Sequence, residues 1–277
     1  MMPALWKYTF ASVVGTSHTK TAAPCQDASA CCVVNTTGGD PVLVAIAADG
    51  AGSASRAEVG SALACDLFIS EMHALFESGG ALEDLTRDLA VAWVAHFHNE
   101  VTYRAEAEGL RPRDFACTLL AAVIGAEMSV FLQIGDGAIV ISESGEPDEY
   151  TWVFWPQKGE FANITTFATD EAASDHLEYS LVPHSIHEVA LFTDGLERLA
   201  LKFDTQEAHA PFFIPMFNPL RRASEGHAEN LSTALESFLN SKQINDRTDD
   251  DKTLILATRR VVLDTANDAG LLHVEQG

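Results

Sequence analysis

The segment Val44-Ala45-Ile46-Ala47-Ala48-Asp49-Gly50-Ala51-Gly52 is an apolar run that ends in an aspartate and a glycine. The apolar residues predict a buried strand, and an aspartate just past its end is held in a fixed position while still reaching solvent. Gly50 lets the backbone turn sharply and approach a ligand closely. We therefore take Asp49 as the first candidate site residue.

Three further segments combine an apolar run with acidic residues. Residues 131–137 and 189–195 also end in Asp-Gly, and in residues 249–258 three aspartates precede the apolar run. Carboxylates gathered from several strand ends repel one another unless a cation lies among them. Hard oxygen ligands of this kind suit Mg²⁺ or Mn²⁺. The four segments together predict a divalent-metal site.

The composition limits the kinds of partner that the protein can have. The 277 residues include 17 basic and 40 acidic ones, which gives a formal net charge of −23. That charge would repel nucleic acid and an anionic membrane surface, so neither is expected as a partner. A phosphorylated substrate would be repelled as well, unless cations neutralise the site locally.

No repeat or low-complexity linker divides the chain, so we expect one domain over residues 1–260 and a weakly structured tail over residues 261–277. The cysteines are odd in number and form no CxxC pair, which favours reduced thiols over a disulfide framework. No signal peptide is expected, and no apolar stretch is expected to approach the ~20 residues that span a bilayer. The sequence therefore favours a cytoplasmic protein.

Hydrophobic periodicity predicts strands and helices that together form one α+β layered domain. Helices are expected after Ser53 or Ser55, which are candidate N-caps, from about Ala81, and over residues 228–239. Strands over residues 138–142 and 150–154 are expected to continue the meander that precedes them. The other expected strands are residues 6–14, 28–35, 42–48, 115–124, 128–134, 177–181, 188–192 and 253–258.

Two segments have no clear place in that pattern. Residues 159–175 are polar and irregular, and we expect a surface loop that is the first place to look for substrate selection. Residues 211–217 are rich in aromatic side chains between two prolines. We expect them to pack over the core, and the alternative is an exposed surface for protein recognition.

The ordered motifs resemble those of the PP2C (PPM) family of metal-dependent protein phosphatases, and most closely a bacterial branch of it. Each Asp-Gly motif alone is weak, whereas five motifs in the right order over most of the chain are specific. The motifs are Gln26-Asp27, Asp49-Gly50-Ala51-Gly52, Gly135-Asp136-Gly137, Thr193-Asp194-Gly195 and Asp250-Asp251-Lys252-Thr253.

The resemblance implies a four-layer α-β-β-α sandwich, with two central antiparallel sheets and helices on both outer faces. It implies two Mg²⁺ or Mn²⁺ ions at one end of the sandwich. By position, Asp49 would bridge both ions, the Gly50 carbonyl would ligate one, and Asp194 and Asp250 would hold the other. These three aspartates are the expected catalytic residues.

Two further acids have weaker roles by the same resemblance. Asp27 would act mostly through metal-bound water, and Asp136 would help to bind a third, looser ion. Asp136 lies in Gly-Asp-Gly-Ala where relatives have Gly-Asp-Ser-Arg. Asp27 could instead cap local backbone, and Asp136 could be structural. A register error of one residue would exchange Asp250 for a neighbour in the aspartate run.

The chain departs from the family pattern at two positions. Relatives carry a phosphate-binding arginine before the Asp27 position, but this chain has Ala22-Ala23 there. We expect His18 and Lys20 to contact the substrate phosphate, with plain solvent exposure as the alternative. Eukaryotic relatives have a histidine as candidate general acid where Ala51 stands, so metal-bound water or another residue such as His18 would protonate the leaving group.

The implied function is hydrolysis of phosphoserine and phosphothreonine in proteins by attack of a metal-bridging hydroxide. A phosphorylated protein is the expected partner, a cognate serine/threonine kinase is a reasonable second one, and a monomer is the default. Two alternatives stay open: a catalytically impaired phosphatase fold used as a regulatory binding module, and a phosphatase of small phosphorylated molecules.

Overall fold

Two β-sheets lie face to face, and helices cover the outer side of each. The computed structural model describes residues 5–143, 145–156 and 165–260. The strands are β1 (Lys7–Val13), β2 (Ala28–Asn35), β3 (Pro41–Ala48), β4 (Leu119–Ile124), β5 (Ser129–Ile134), β6 (Ala138–Glu143), β7 (Thr151–Phe154), β8 (Glu178–Val182), β9 (Ile186–Phe192), β10 (Leu201–Lys202), β11 (Glu207–Ala208), β12 (Gly226–His227) and β13 (Lys252–Thr258). The helices are α1 (Thr16–Thr21), α2 (Ala57–Glu77), α3 (Arg87–Glu108), α4 (Glu197–Ala200), α5 (Ala210–Arg221), α6 (Glu229–Leu239) and α7 (Lys242–Asn245).

The strand order defines two large sheets. One has five strands in the order β2-β3-β4-β5-β8, and the other has six in the order β12-β1-β13-β9-β6-β7. All neighbours in both sheets are antiparallel except the short edge pair of β1 and β12, which is parallel. The remaining pair, β10 and β11, forms a small separate ribbon.

Three apolar layers hold the sandwich together. Residues such as Phe131, Leu191 and Ile255 fill the space between the sheets. Helices α2 and α3 bury a second layer on the five-stranded sheet, and α5 and α6 bury a third on the six-stranded sheet. Apolar burial on this scale is the main favourable term in folding. The arrangement confirms the expected α-β-β-α sandwich.

The expected meander is wrong at one point, because β6 leaves the sheet of β5 and enters the other one. The crossing occurs at Gly135-Asp136-Gly137. Gly135 has a φ of +107°, which side chains other than glycine rarely adopt. A Cβ at Gly137 would lie 2.8 Å from the carbonyl oxygen of Phe192. The chain therefore turns tightly here and places Asp136 between the sheets' ends.

Helix α2 begins at Ala57, with Arg56 at the N-cap position and no side-chain cap. The expectation that Ser53 or Ser55 caps it is wrong. The expectation that no apolar stretch approaches membrane-spanning length is also wrong, because α2 passes that test by length and composition. Its residues Phe68 and Phe76 pack on the five-stranded sheet, as expected of a core helix.

The second helix starts later than expected. Residues Leu82–Asp84 form a short 3₁₀ turn, and α3 begins at Arg87 after Thr86, whose Oγ1 accepts a hydrogen bond from Leu89 N at 3.3 Å. Leu89, in the first turn of α3, is 39% exposed. The helix ends at Gly109 in the left-handed conformation, which is common at helix C-termini.

The aromatic segment forms helix α5, and Phe213 and Phe217 are fully buried in the outer core. The expectation that it packs over the core is confirmed. The expected loop over residues 159–175 is described only from residue 165, where Ala168 and Ala173 are buried. The tail expected over residues 261–277 lies outside the described residues.

Candidate metal centre

Three aspartates that follow different strands meet at one end of the sandwich. Asp49 follows β3, Asp136 lies between β5 and β6, and Asp194 comes two residues after β9. Each offers one carboxylate oxygen, and the three oxygens lie within 4.8 Å of one another. The strand-end pattern therefore brings these three acids together as the sequence predicted.

The turn that carries Asp49 is fixed by backbone bonds to a neighbouring segment. Asp49 N donates to Thr118 Oγ1 at 3.0 Å, and Thr118 N donates to the Asp49 carbonyl at 2.8 Å. Ala51 N donates to the Ala116 carbonyl at 2.8 Å. A Cβ at Gly50 would lie 2.6 Å from the carbonyl oxygen of Gln26. Gly50 is thus required by close packing beside the acids.

Asp27 lies deeper than the other acids. Its Oδ2 accepts hydrogen bonds from Thr193 Oγ1 and Thr253 Oγ1, both at 2.8 Å. Its buried Oδ1 has no donor among the described residues, and the carboxyl instead interacts with Asp49, which is also an acceptor when ionised. A buried acceptor without a donor is destabilising unless something else binds it.

The acids raise one another's pKa values. Burial raises the pKa of Asp27 to about 6 and, together with repulsion from Asp27 and Asp194, holds that of Asp49 well above its ordinary value. Burial and then repulsion from Asp136 and Asp250 raise the pKa of Asp194 to about 8. The protein alone therefore does not neutralise this group of carboxylates.

Asp250 stands at the edge of the group. It is exposed and lies outside the three acids that meet most closely, but its charge contributes to the raised pKa values of Asp49 and Asp194. Its Oδ1 accepts a hydrogen bond from Asp251 N at 2.9 Å. Loss of water around its carboxyl group raises its own pKa.

Asp136 has a partner from the following loop. Thr165 Oγ1 donates to Asp136 Oδ2 at 2.7 Å, and two residues further on Phe167 packs against the small residues around Ala51 and Ala57. The loop over residues 165–170 therefore touches both Asp136 and the Asp49 turn. The family resemblance implies only a third, looser ion at Asp136, whereas the structure brings this acid together with Asp49 and Asp194.

The two expected phosphate contacts lie on α1. His18 is half-buried and its Nδ1 lies 3.0 Å from Asp251 Oδ2. Lys20 is exposed and forms no ion pair with any described residue. Sequence reasoning missed the role of Asp251, which is only 2% exposed. Its position directly before the buried strand β13 was the available signal.

The residues present suit hard divalent cations. Every candidate ligand is oxygen, from carboxylates or from the Gly50 carbonyl, which is the donor set that Mg²⁺ and Mn²⁺ prefer. A cation would also supply the missing partner of Asp27 Oδ1 and offset the repulsion that raises the pKa values. The site therefore fits the metals that the sequence implied.

Residues 14–240 match the family model described as protein phosphatase 2C. The chain belongs to the protein phosphatase 2C family. It is 39% identical over 253 residues to serine/threonine-protein phosphatase 3 of Escherichia coli (strain K12), a match that covers 91% of this chain and 98% of the relative. It is thus a metal-dependent serine/threonine-protein phosphatase, and phosphorylated proteins are its substrates.

Solved structures support the fold. PppA, a key regulatory component of T6SS in Pseudomonas aeruginosa, aligns with a TM-score of 0.60 at 15% identity over 92% of this chain and 98% of its own. RsbX in complex with magnesium aligns with a TM-score of 0.53 at 14% identity over 93% and 97%. At these identities the likeness concerns the fold, and it agrees with the four layers described above.

Proposed function

We propose that this phosphatase binds two Mg²⁺ or Mn²⁺ ions, and a third more weakly at Asp136, and uses them to hydrolyse phosphoserine and phosphothreonine in proteins. The observation that carries the proposal is the meeting of three strand-end carboxylates within 4.8 Å. The magnesium complex of RsbX, which has a similar fold, supports this choice of metal. The proposed ligands are Asp27, Asp49, the Gly50 carbonyl, Asp136, Asp194 and Asp250.

When bound, such ions act as Lewis acids that lower the pKa of water and neutralise charge on the phosphoryl oxygens. The chain's own residues hold the ligands in place. Thr193 and Thr253 orient Asp27 through its Oδ2, and Thr118 fixes the Asp49 turn through two bonds. Asp49, Asp194 and Asp250 are the proposed catalytic acids of this arrangement.

Substrate binding must overcome the net charge of −23. We propose that His18 and Lys20 contact the substrate phosphate in place of the missing arginine. Both lie on α1, which is tied to the segment of Asp250 because Ser17 N donates to the Asp249 carbonyl at 2.9 Å. This bond, which supports the proposal, ties the helix of His18 and Lys20 to the segment that carries the proposed ligand Asp250.

The partners, the location in the cell and the oligomeric state are proposed from the sequence and the family. A cognate serine/threonine kinase would supply the phosphorylated protein, and the phosphatase would act as a cytoplasmic monomer with one domain over residues 1–260. Nucleic acid and membranes are not proposed as partners, because the net charge opposes binding to both.

The test measures Mn²⁺ binding by calorimetry and hydrolysis of a phosphothreonine peptide by phosphate release. We expect binding and hydrolysis to be lost together in Asp49→Asn, and hydrolysis to stop when EDTA removes the metal. Binding that survives in Asp49→Asn would place the metal elsewhere. Turnover of free phosphometabolites in preference to the peptide would favour the small-molecule alternative.

A further inference from the structure

An apolar cavity of about 370 Å³ lies between α2 and α3, on the outer side of the five-stranded sheet. We call it the α2–α3 cavity. The described residues that line it belong to α2, to α3, to the segment between them and to strands β4 and β5. None of them is a proposed metal ligand, so the cavity is a separate feature of the fold. Its floor and walls include Val123, Val130, Leu132, Phe68, Met72 and Trp93.

Aromatic packing fixes one wall of the cavity. The Trp93 ring stacks on Phe97 with centroids 5.6 Å apart, and it meets the Phe68 ring edge to face at 5.3 Å. All three side chains are buried. The sequence also places small residues around the opening, because Ala74 of α2 and Ala92 of α3 both line the cavity and are exposed. The cavity is therefore formed in advance and can be reached from outside.

Leaving such a space empty is unfavourable. Apolar atoms around a void lose packing contacts that nothing replaces. Water does not offset the loss, since cavities lined by apolar side chains stay dry and take up apolar molecules; an engineered cavity of about 150 Å³ binds benzene. The α2–α3 cavity is larger than that. Its size and its apolar lining are those of a small-molecule site.

The charged groups at the cavity define the class of ligand. Glu71 and His96 are the only ionisable residues among the described ones that line it, and Glu71 Oε1 lies 2.6 Å from His96 Nδ1. On its other side, His96 Nε2 lies 3.5 Å from Glu100 Oε1. One imidazole is thus shared by two carboxylates. An anionic ligand would be repelled, and a cationic one would have to compete with His96 for Glu71.

We propose that the α2–α3 cavity binds an uncharged apolar molecule with the chemistry of a medium-chain alcohol. The hydrocarbon part lies against Trp93 and the floor formed by β4 and β5, and the hydroxyl stays at the side of Glu71 and His96. This site is additional to the proposed phosphatase chemistry and requires no metal ion.

The test uses three ligands that share an eight-carbon chain and differ in charge: 1-octanol, octanoate and octylamine. Calorimetry on the full chain measures their affinities, and NMR follows the indole N–H signals of the four tryptophans. We expect octanol to bind saturably and to shift the signal of Trp93, whereas Trp152, which packs on the other sheet, should not respond. Octanoate should bind about 10-fold more weakly than octanol, and octylamine no more tightly.

A larger side chain at the opening should block the site. We expect Ala92→Phe to weaken octanol binding about 10-fold, because the ring occupies space that the ligand needs. The matched control is Ala107→Phe, which changes an exposed alanine of the same helix outside the cavity lining and should leave the affinity unchanged. Circular dichroism checks folding, and Ala74→Phe on α2 decides if Ala92→Phe does not fold.

Three results would overturn the proposal. Octanol binding that survives unchanged in both Ala92→Phe and Ala74→Phe would place the ligand elsewhere. Octylamine that binds more tightly than octanol, or octanoate that binds equally well, would contradict the uncharged class. No saturable binding of any of the three ligands would show that the cavity is not a ligand site.

Discussion

Strand β9 carries one buried glutamate near its start and leads to Asp194 just beyond its end, and the two acids have opposite surroundings. Glu188 is fully buried and accepts bonds from Arg221 Nε at 2.7 Å and Nη2 at 2.6 Å, and from Thr258 Oγ1 at 2.9 Å. Asp194 is surrounded by other carboxylates. Its burial and then repulsion from these carboxylates raise its pKa to about 8.

The difference shows that the protein can neutralise a buried carboxylate and does not do so at Asp194. The bonds to Glu188 also raise the pKa of Arg221, so the guanidinium stays charged. In native proteins, buried charges that lack a partner of opposite charge are expected mainly at functional sites. The uncompensated end of β9 is therefore where cations from solution are expected, and the compensated end is structural.

The strongest test of this contrast is Asp49→Asn. We expect metal-dependent hydrolysis to fall on the order of 10³-fold, because one of the proposed metal ligands is lost. We also expect the metal-free variant to unfold at the same or a higher temperature than wild type, since one repelled charge is gone. Steady-state kinetics and thermal unfolding in EDTA check both. A large loss of stability would instead make Asp49 a structural residue.

At the other end, Glu188→Ala should act on stability and not on chemistry. It leaves the buried Arg221 guanidinium without its main partner, which destabilises by about 3–5 kcal/mol. Urea unfolding measures the change. The matched control is Glu207→Ala, whose exposed pair with Lys202 at 3.7 Å should contribute below ~1 kcal/mol. An equal loss of stability in the two variants would show that Glu188 stabilises the fold no more than an exposed glutamate does.

The metal-free protein should become less stable as pH rises. Asp194 has an ordinary pKa of 3.8 and a folded pKa of about 8, so between these values the folded state binds more protons than the unfolded chain. The stabilisation is complete below the lower value and is lost as pH passes the higher one. Urea unfolding in EDTA between about pH 5 and 8 measures this slope, and saturating Mg²⁺ should abolish it.

Thr165→Val should give the smallest effect. It removes the 2.7 Å hydrogen bond to Asp136 Oδ2, and loss of such a supporting bond weakens metal binding about 10-fold. Calorimetry with Mn²⁺ measures the affinity. Thr205→Val, which removes an exposed bond to Glu207, is the control. Unchanged affinity would show that Thr165 only anchors its own loop.

The sequence predicted strands well where the apolar pattern and the turn residues indicated the same strand limits. Strand β2 has the expected limits, Asp49 directly follows β3, and Asp194 lies two residues after β9. The change of sheet after β5 could not be predicted. Glycine is used both in a tight hairpin within one sheet and in a tight connection between two sheets, so Gly135 and Gly137 did not distinguish them. Asp251 was missed because a run of three aspartates is also typical of a solvated surface, although its place directly before β13 was a signal that it points inward.

Helix α5 was missed because proline usually ends helices. Pro211, Pro215 and Pro219 are four residues apart and all exposed, so the carbonyls that lack a donor face water. Phe213 and Phe217 occupy the opposite, buried side. The spacing of the prolines, and not their number, carried the helical signal.

The pairing of β1 with β13 places Val13 opposite Lys252 beside the acids, and Lys7 opposite Thr258 at the far end. The start of β1 and the end of β13 therefore lie side by side, about as far from the carboxylates as one strand allows. A reporter or tether joined at either of these positions would leave the opening to the phosphorylated substrate clear. The same geometry makes the domain suitable for insertion into a host protein through two adjacent junctions.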